Sequence, residues 1–265
     1  MGPLIFKLYV KDLESHINTK CHQYVDHTTL YTHCKPENLQ STVIDLQETI
    51  TELEEWTKDA NLILNPTKTK LMVLSTAQLS SFHSLEKGSV DIQINGNTLE
   101  RVSTSKLLGC HVHQHLKWED NVKSSASSCY STLAMLRKLK NILPFNLRKN
   151  IVQALVLSKL YYNDVIYHSL PDYLQKRLQG VQKADTSFVV GKYASLEDGL
   201  SLKWLPIKEQ REWNMLKIGH KALYNTSWPH YLRLNVYKPS RVLRSSNSVQ
   251  LQNSTTNCNH ATGLR

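Results

Sequence analysis

The stretch QYVDHTTLY at residues 23–31 decides how the front of the chain folds. β-Branched and aromatic residues stand on both sides of one polar pair, Asp26 and His27, and residues of these types favour strands. The pattern predicts a β-hairpin with Asp26 and His27 at its tip.

Regular patterns continue on both sides of this hairpin. Upstream, Pro3 opens an apolar run that predicts a short buried helix. Downstream, apolar residues recur at alternating steps of four and three and predict a helix from Pro36 to about Trp56 or Asn61: Leu39, Val43, Leu46, Ile50 and Leu53.

Short strands are predicted after this helix. Residues 71–74 form the first, and residues 90–94 and 98–102 flank Asn95, Gly96 and Asn97, residue types that a tight hairpin turn requires. Residues 106–113 form a further strand that completes a small sheet.

From Trp118 onward the apolar period changes to that of helices. The helices are predicted over residues 118–143, 145–169, 171–190 and 206–224, while residues beyond about 245 are too polar to fold. The fold class is therefore α+β: a small antiparallel sheet with helices over residues 1–116, an all-helical region over residues 117–235, and a disordered tail over residues 236–265.

Charge is unevenly distributed along the 265 residues. The chain has 32 basic and 22 acidic side chains, a net charge of +10, yet residues 1–110 carry 10 basic and 13 acidic ones. Residues 111–265 therefore hold a net charge of +13, which favours a polyanionic partner, although a basic helical surface that serves only solubility is the alternative.

Other classes of protein are disfavoured by the same sequence. No apolar run is long enough for a membrane span, so no membrane partner is expected. The five cysteines form no CxxC pair, which argues against a disulfide framework and predicts an intracellular, reducing compartment, cytoplasmic or nuclear.

Residues 2–13, GPLIFKLYVKDL, and residues 24–30, YVDHTTL, resemble a known family. The patterns GPLLFxLYIxDL and YADDTTL occur in the reverse transcriptases of jockey-like non-LTR (LINE-type) retrotransposons. Trp56 with residues 61–70, NLILNPTKTK, resembles the stretch that follows in those enzymes. Further stretches are similar to the primer-grip and later helical regions: residues 107–109, 116–118, 153–160, 178–182 and 200–206.

The resemblance implies a partial polymerase palm followed by a thumb-like helical region of an RNA-directed DNA polymerase. Such enzymes hold two Mg²⁺ ions on carboxylates from separate palm strands and act on nucleoside triphosphates. Asp26 matches the first aspartate of the family's pair and is the implied metal ligand, but His27 replaces the second aspartate. The chain begins after the strand that supplies a third, so we expect polymerisation to be lost. Lys68 matches the lysine placed near the incoming triphosphate.

Five cations lie where the chain turns between two predicted helices. We call this set the basic elbow: Arg137, Lys138, Lys140, Arg148 and Lys149. No acidic residue occurs between Asp120 and Asp164, so the set predicts binding to the phosphates of RNA, DNA or an RNA–DNA hybrid. Cations favoured at a helix C-terminus by its dipole explain at most three of the five.

Two other functions stay open on the sequence. One is a mobile-element remnant with no activity. The other is an adventitious metal-binding protein, because histidines and cysteines occur in two groups, although neither matches a zinc-finger spacing: Cys21, His22, His27, His33 and Cys34, and His111, His113 and His115. Five aromatic residues could stack on bases but at helical spacing are more typical of a core: Tyr161, Tyr162, Tyr167, Trp204 and Trp213.

Overall fold

Helices and short strand pairs build the chain, in the α+β class that the sequence predicts. The computed structural model describes residues 2–85, 90–229 and 232. Contacts divide the chain into two units, residues 1–121 and residues 122–265. The predicted disordered tail, residues 236–265, lies outside the described residues.

The first unit begins with two short helices, α1 (Gly2–Tyr9) and α2 (Leu13–His16). The prediction of a buried helix at Pro3 is wrong, because α1 buries no residue and its apolar side chains are mostly exposed. The first buried residues of the chain are Val10, Leu13 and Ile17 among those that the structure describes.

The predicted hairpin is present as strands β1 (Lys20–Tyr24) and β2 (His27–Tyr31), which pair antiparallel. A 3₁₀ turn at Pro36–Asn38 then leads into helix α3 (Leu39–Asp59), which confirms the predicted helix. The apolar stripe of α3 contributes to two hydrophobic clusters. Leu53 and Trp56 pack with Val10, Leu13, Ile17 and Cys21, and Ile50 packs with Ile92, Ile94 and Leu99.

The later part of the first unit consists of small pieces. It contains strand β3 (Lys70–Leu71), helix α4 (Ala77–Phe82) and strands β4 (Gln93–Ile94), β5 (Asn97–Thr98), β6 (Glu100–Arg101), β7 (Thr104–Leu107) and β8 (Cys110–His113). Strand β3 pairs parallel with β6, and β4 pairs antiparallel with β5 through the predicted turn at Asn95 and Gly96, which have φ of 49° and 73°.

The strands predicted over residues 71–74 and 98–102 are not present as such, since β3 covers only Lys70–Leu71 and the second stretch is divided between β5 and β6. Two further predictions about these strands are wrong. Residues 106–113 do not form one strand, because Leu108 and Gly109 take φ of 44° and 85° and turn the chain back, so that β7 pairs with β8. Positive φ at two successive residues is the geometry of a tight hairpin turn. Nor do the strands form one sheet: the described strands make four separate two-stranded sheets.

The second unit is helical in all of its described elements. Helix α5 (Glu119–Arg137) crosses the boundary between the units and buries the predicted stripe, with Val122, Ala126, Cys129 and Leu133 at most 1% exposed. The helix ends before residue 143, because residues 138–143 form turns.

The predicted helix over residues 145–169 is interrupted. It consists of α6 (Phe145–Val152), a π-helical turn (Gln153–Leu157), α7 (Ser158–Leu160) and a separate 3₁₀ turn (Asp164–Tyr167). Asn163, with φ of 53°, takes the left-handed conformation that a continuing helix does not allow.

Three further helices follow: α8 (Asp172–Val190), α9 (Leu196–Ser201) and α10 (Ile207–Tyr224). Proline stands at the N-cap of α6, α8 and α10, where its missing N–H is tolerated, as predicted for Pro171 and Pro206. Helix α9 was not predicted; a capping box between Ser195 and Asp198 starts it. In the described part of the chain, no helix has the length and apolar character needed to cross a membrane.

Candidate functional site

The β1–β2 hairpin presents its turn to solvent. Tyr24 pairs with His27 at the end of the ladder, so the turn itself consists of Val25 and Asp26 and His27 is the first residue of β2. The side chains of Asp26 and His27 are both exposed. Asp26 and His27 are thus successive residues at the tip, each with its side chain open to solvent.

The turn requires an unusual backbone at Val25. Its φ is 57°, a left-handed value that β-branched residues rarely adopt. Such strain persists only where the surroundings hold it in place. Here the register of β1 and β2 fixes both ends of the turn, so Asp26 has a defined position at the tip.

One face of the hairpin is anchored in the core. Cys21 and Leu30 are cross-strand partners, Cys21 is buried in the cluster with Trp56, and Leu30 packs against both clusters of the first unit. Burial, together with the negative charge of Glu14, raises the pKa of the Cys21 thiol. A protonated core thiol is an anchor for the hairpin and a poor metal ligand.

The first group of histidines and cysteines does not converge. His22 stacks on Tyr31 with ring centroids 5.1 Å apart, whereas Cys34 is exposed beyond the end of β2. Across the described residues, no group of three or more His, Cys, Asp or Glu side chains is placed to hold a metal ion. The suggestion of a metal site at residues 21–34 is therefore not supported.

The second group is likewise occupied with other partners. His113 and His115 lie close, with ring centroids 5.4 Å apart, and the His115 backbone N–H donates to His113 Nδ1 at 3.0 Å. His115 Nδ1 bonds to the Ser75 carbonyl oxygen at 3.0 Å. Strand β8 ends at His113, and His115 lies in the turn that follows, so the three imidazoles do not share one face of a single strand as predicted. Among the described residues they do not form a ligand set.

Lys68 lies in an exposed turn built on Asn65. The Asn65 side-chain oxygen accepts from the Lys68 backbone N–H at 3.2 Å and from the Thr67 hydroxyl at 2.7 Å. The neighbouring Lys70 is engaged in an ion pair with Glu100. Of these two lysines, Lys68 is the one whose ammonium makes no ion pair within the described residues.

The basic elbow contains two arginines with structural partners. Arg148 donates from Nη1 to the Phe188 carbonyl oxygen at 3.0 Å, near the C-terminus of α8, where a cation is favoured by the helix dipole. The positive charge of Arg137 lowers the pKa of the Asp185 carboxyl. The three lysines, Lys138, Lys140 and Lys149, make no ion pair within the described residues.

Asp185 is a buried carboxyl that the sequence analysis did not identify as unusual. It is 0% exposed, and neither of its oxygens has a hydrogen-bond partner. Burial raises its pKa to about 8, and Arg137 lowers the pKa only in part. The spacing from Leu174, Leu178 and Val181 places Asp185 on the buried face of α8, and that signal was available in the sequence.

A second buried polar group joins α10 to the 3₁₀ turn at Asp164–Tyr167. Arg211 is 1% exposed, its guanidinium lies 5.2 Å from the centre of the Tyr167 ring, and Nη1 donates to the His168 carbonyl oxygen at 3.4 Å. Asp164 accepts from Asn214 at 2.8 Å. Burial raises the pKa of Asp164 and lowers that of Arg211, as expected for charges removed from water.

The five aromatic residues considered for base stacking divide between core and surface. Tyr167 and Trp204 are buried, and Tyr161 is partly buried with its pKa raised to about 12, mainly by burial. Tyr162 and Trp213 are each 53% exposed. Only these two of the five present a ring that a nucleobase could reach.

Comparison with known proteins adds to these findings. A search of the curated proteins gave no match. A family model does match the front of the chain, over less than half of its length. Residues 1–112, which include the β1–β2 hairpin and Lys68, match the family model described as reverse transcriptase (RNA-dependent DNA polymerase).

Proposed function

We propose that this chain is the palm and thumb portion of a jockey-like non-LTR reverse transcriptase that has lost polymerisation and retains nucleic-acid binding. Residues 1–116 are the partial palm and residues 117–235 the thumb-like region. The observation that carries the proposal is the β1–β2 hairpin: Asp26 occupies the turn and His27 stands next to it, inside the stretch similar to reverse transcriptases.

Loss of polymerisation follows from the donor set at the tip. Phosphoryl transfer by two Mg²⁺ ions needs several carboxylate oxygens that hold both ions about 3.5–4 Å apart. Asp26 supplies one carboxylate, and the imidazole of His27 is a poor ligand for Mg²⁺, which prefers oxygen. Within the described residues no third ligand joins them, so the residues present do not fit the Mg²⁺ pair.

Nucleic-acid binding is supported by the charge of the second unit. Residues 122–265 carry 21 basic and 7 acidic side chains. Lys138, Lys140 and Lys149 of the basic elbow have no ion-pair partner among the described residues, whereas Arg137 and Arg148 also have structural roles. We therefore assign phosphate contacts mainly to the three lysines, on RNA, DNA or an RNA–DNA hybrid with little sequence preference.

The catalytic part is tested by primer extension. The whole chain and the variant His27→Asp are incubated with a primed RNA template, nucleoside triphosphates and Mg²⁺ or Mn²⁺. Neither should extend the primer, because restoring one carboxylate still leaves the ligand set incomplete. Extension above a no-protein control by either form contradicts the proposed loss of polymerisation.

The binding part is tested by fluorescence anisotropy across a salt series. Replacing Lys138, Lys140 and Lys149 by alanine should reduce the slope of log affinity against log salt by roughly two on a single strand, at about 0.7 per phosphate contact. The matched control replaces Lys123, Lys217 and Lys221, three exposed lysines of the same unit. An equal change in both triple variants argues against the elbow, and no binding at low salt favours an inert remnant.

A further inference from the structure

A cavity of about 420 Å³ opens on the second unit where α8 faces α9 and the start of α10. Volumes of a few hundred Å³ are typical of pockets that take small ligands. Its apolar walls include Leu196, Trp204 and Ile207, and Leu196 is largely exposed at 62%. The cavity therefore offers an apolar interior that is open to a ligand from solvent.

Hydrogen bonds across the cavity hold its walls in place. Gln179 Oε1 accepts from the Ile207 backbone N–H at 2.9 Å, and Gln182 Nε2 donates to the Leu205 carbonyl oxygen at 2.8 Å. These bonds fix the segment before α10 onto α8. A ligand would thus meet a preformed cavity and would not have to order it, which lowers the free energy cost of binding.

The same bonds leave few groups that could read the edge of a base. Gln179 also donates to Gln182 at 2.8 Å, Gln175 donates to the Leu170 carbonyl oxygen at 3.0 Å, and Thr186 donates to the Gln182 carbonyl oxygen at 2.8 Å. The neutral polar side chains of α8 that line the cavity thus already make hydrogen bonds within the protein. Recognition inside the cavity rests on shape and apolar contact.

Positive charge surrounds the opening. Lys176, Lys183 and Lys208 line the cavity with one acidic residue, Glu209, and none of the three lysines makes an ion pair within the described residues. Lys176 and Lys183 are seven residues apart on α8, which separates them by about 10.5 Å along the helix axis. Cations around an apolar cavity suit a ligand with an apolar body and an anionic chain on either side.

An exposed aromatic ring lies next to this opening. The ammonium of Lys183 lies 4.2 Å from the centre of the Tyr193 ring, and Tyr193 is 82% exposed. Exposed rings beside cations are the elements on which proteins stack the bases of single strands. This feature favours a nucleic acid over an acidic peptide as the ligand.

We propose that the cavity accepts one unstacked base of a single-stranded nucleic acid, while Lys176, Lys183 and Lys208 contact the flanking phosphates. The inference rests on the proposed nucleic-acid binding and adds a preference for single strands. A duplex keeps its bases paired and stacked, so it can reach the basic elbow but cannot fill the cavity. Base identity should matter little, because the glutamines and the threonine of α8 in the cavity already make hydrogen bonds within the protein.

The first test uses the unmodified full-length chain. Anisotropy is measured with a labelled oligothymidylate, with the same strand carrying abasic sites, and with a hairpin duplex of equal phosphate number. The abasic strand should bind roughly tenfold more weakly than the intact strand, since it cannot place a base in the cavity or stack one beside it. Equal affinity for intact and abasic strands overturns the cavity proposal but not the basic elbow.

The second test fills the cavity with Gly199→Leu. A Cβ at Gly199 would lie 3.9 Å from the Trp204 carbonyl oxygen and 4.0 Å from Thr186 Oγ1, so a side chain can start there without a clash. The control is Gly219→Leu, whose Cβ would meet no atom within 4 Å. Gly199→Leu should lower single-strand affinity roughly tenfold and leave duplex affinity unchanged, and Gly219→Leu should change neither.

Other outcomes separate the two proposals. Equal losses for single strand and duplex in Gly199→Leu overturn the base-binding role. So does tight binding of an acidic amphipathic peptide that Gly199→Leu abolishes while single-strand affinity stays unchanged. If the unmodified chain binds neither strand nor duplex at low salt, the proposed nucleic-acid function fails as a whole. Since the abasic comparison needs no variant, it decides the matter even if Gly199→Leu does not fold.

Discussion

The two units differ in how they are held together and in what they carry. The first unit contains small hydrophobic clusters and short pairs of strands. Its residues, 1–121, have 11 basic and 15 acidic side chains. The second unit packs long helices around fully buried side chains and has 21 basic and 7 acidic ones. The likeness to a polymerase thus lies in the acidic unit, and the charge suited to nucleic acid lies in the basic one.

This difference indicates that the two properties can be lost separately. Replacing a single donor is enough to remove metal chemistry from a hairpin tip, because ligand geometry depends on each donor, and we propose this effect for His27. A basic helical surface depends on many cations and tolerates single changes. The following predictions test whether the units are as different in stability as they are in charge.

The largest effect is expected from pH in the second unit. Folded Asp185, with its pKa near 8, keeps a proton that the unfolded chain releases near its ordinary value of 3.8. Its contribution to the free energy of unfolding is therefore fully present below about pH 4 and is lost as pH rises to about 8, by at most about 1.4 kcal/mol per pH unit. The free energy of unfolding is measured in urea at several pH values across that range, and hydrogen exchange then shows whether the change lies in the second unit.

The matched variants for this prediction lie on one helix. Asp185→Asn should flatten the pH dependence, while Asp172→Asn, an exposed aspartate in the first turn of α8, should keep the profile of the unmodified chain. A profile for Asp185→Asn as steep as that of the unmodified chain would show that Asp185 is ionised in the folded state.

The core of the second unit should respond strongly to truncation. Leu133→Ala on α5 removes a side chain that is 0% exposed and should lower the free energy of unfolding by about 2–5 kcal/mol. Met135→Ala on the same helix, 60% exposed, should change it by less than about 0.5 kcal/mol. Hydrogen exchange should locate the loss in residues 122–229; a similar loss of protection in the first unit would show that the units unfold together.

The same substitution should have opposite signs in the two units. Gly96→Ala in the first unit places a Cβ at φ of 73° and should destabilise by about 1–2 kcal/mol. Gly219→Ala, within α10 and free of contacts, should stabilise by about 0.4–1 kcal/mol. Thermal unfolding of both variants checks the pair, and a stabilising Gly96→Ala would mean that the turn at Asn95 and Gly96 is not formed.

The smallest effect concerns the ion pair of the first unit. Lys70→Met breaks the pair with Glu100, whose side chain is 67% exposed, and should lower stability by no more than about 1 kcal/mol at low salt and less at high salt. Lys68→Met removes a neighbouring lysine with no ion-pair partner among the described residues and should have no such salt-dependent effect. Equal responses of the two variants would show that the pair contributes nothing.

Much of the local structure could be predicted because its signals are local. The period of apolar residues in α3, α5 and α8 defines which face is buried. The alternation around Asp26 and His27 predicts the first hairpin, and Asn95 with Gly96 predicts the second. At Leu108 and Gly109 the turn signal is weaker, because Leu rarely takes positive φ, and the sequence there predicts a continuous strand.

The sequence by itself determined the α+β class, the main helices, the charge difference between the two halves and the substitution of His27 next to Asp26. Only the tertiary structure decided that Arg148 caps α8, that α1 buries no side chain, that Asp185 has no hydrogen-bond partner and that a cavity lies between α8 and α10. The physical reason is that helical period and turn chemistry act between near neighbours. Burial, pKa shifts and cavities depend on which distant segments pack together, and here that packing joins Gln179 to Ile207 and Asp164 to Asn214.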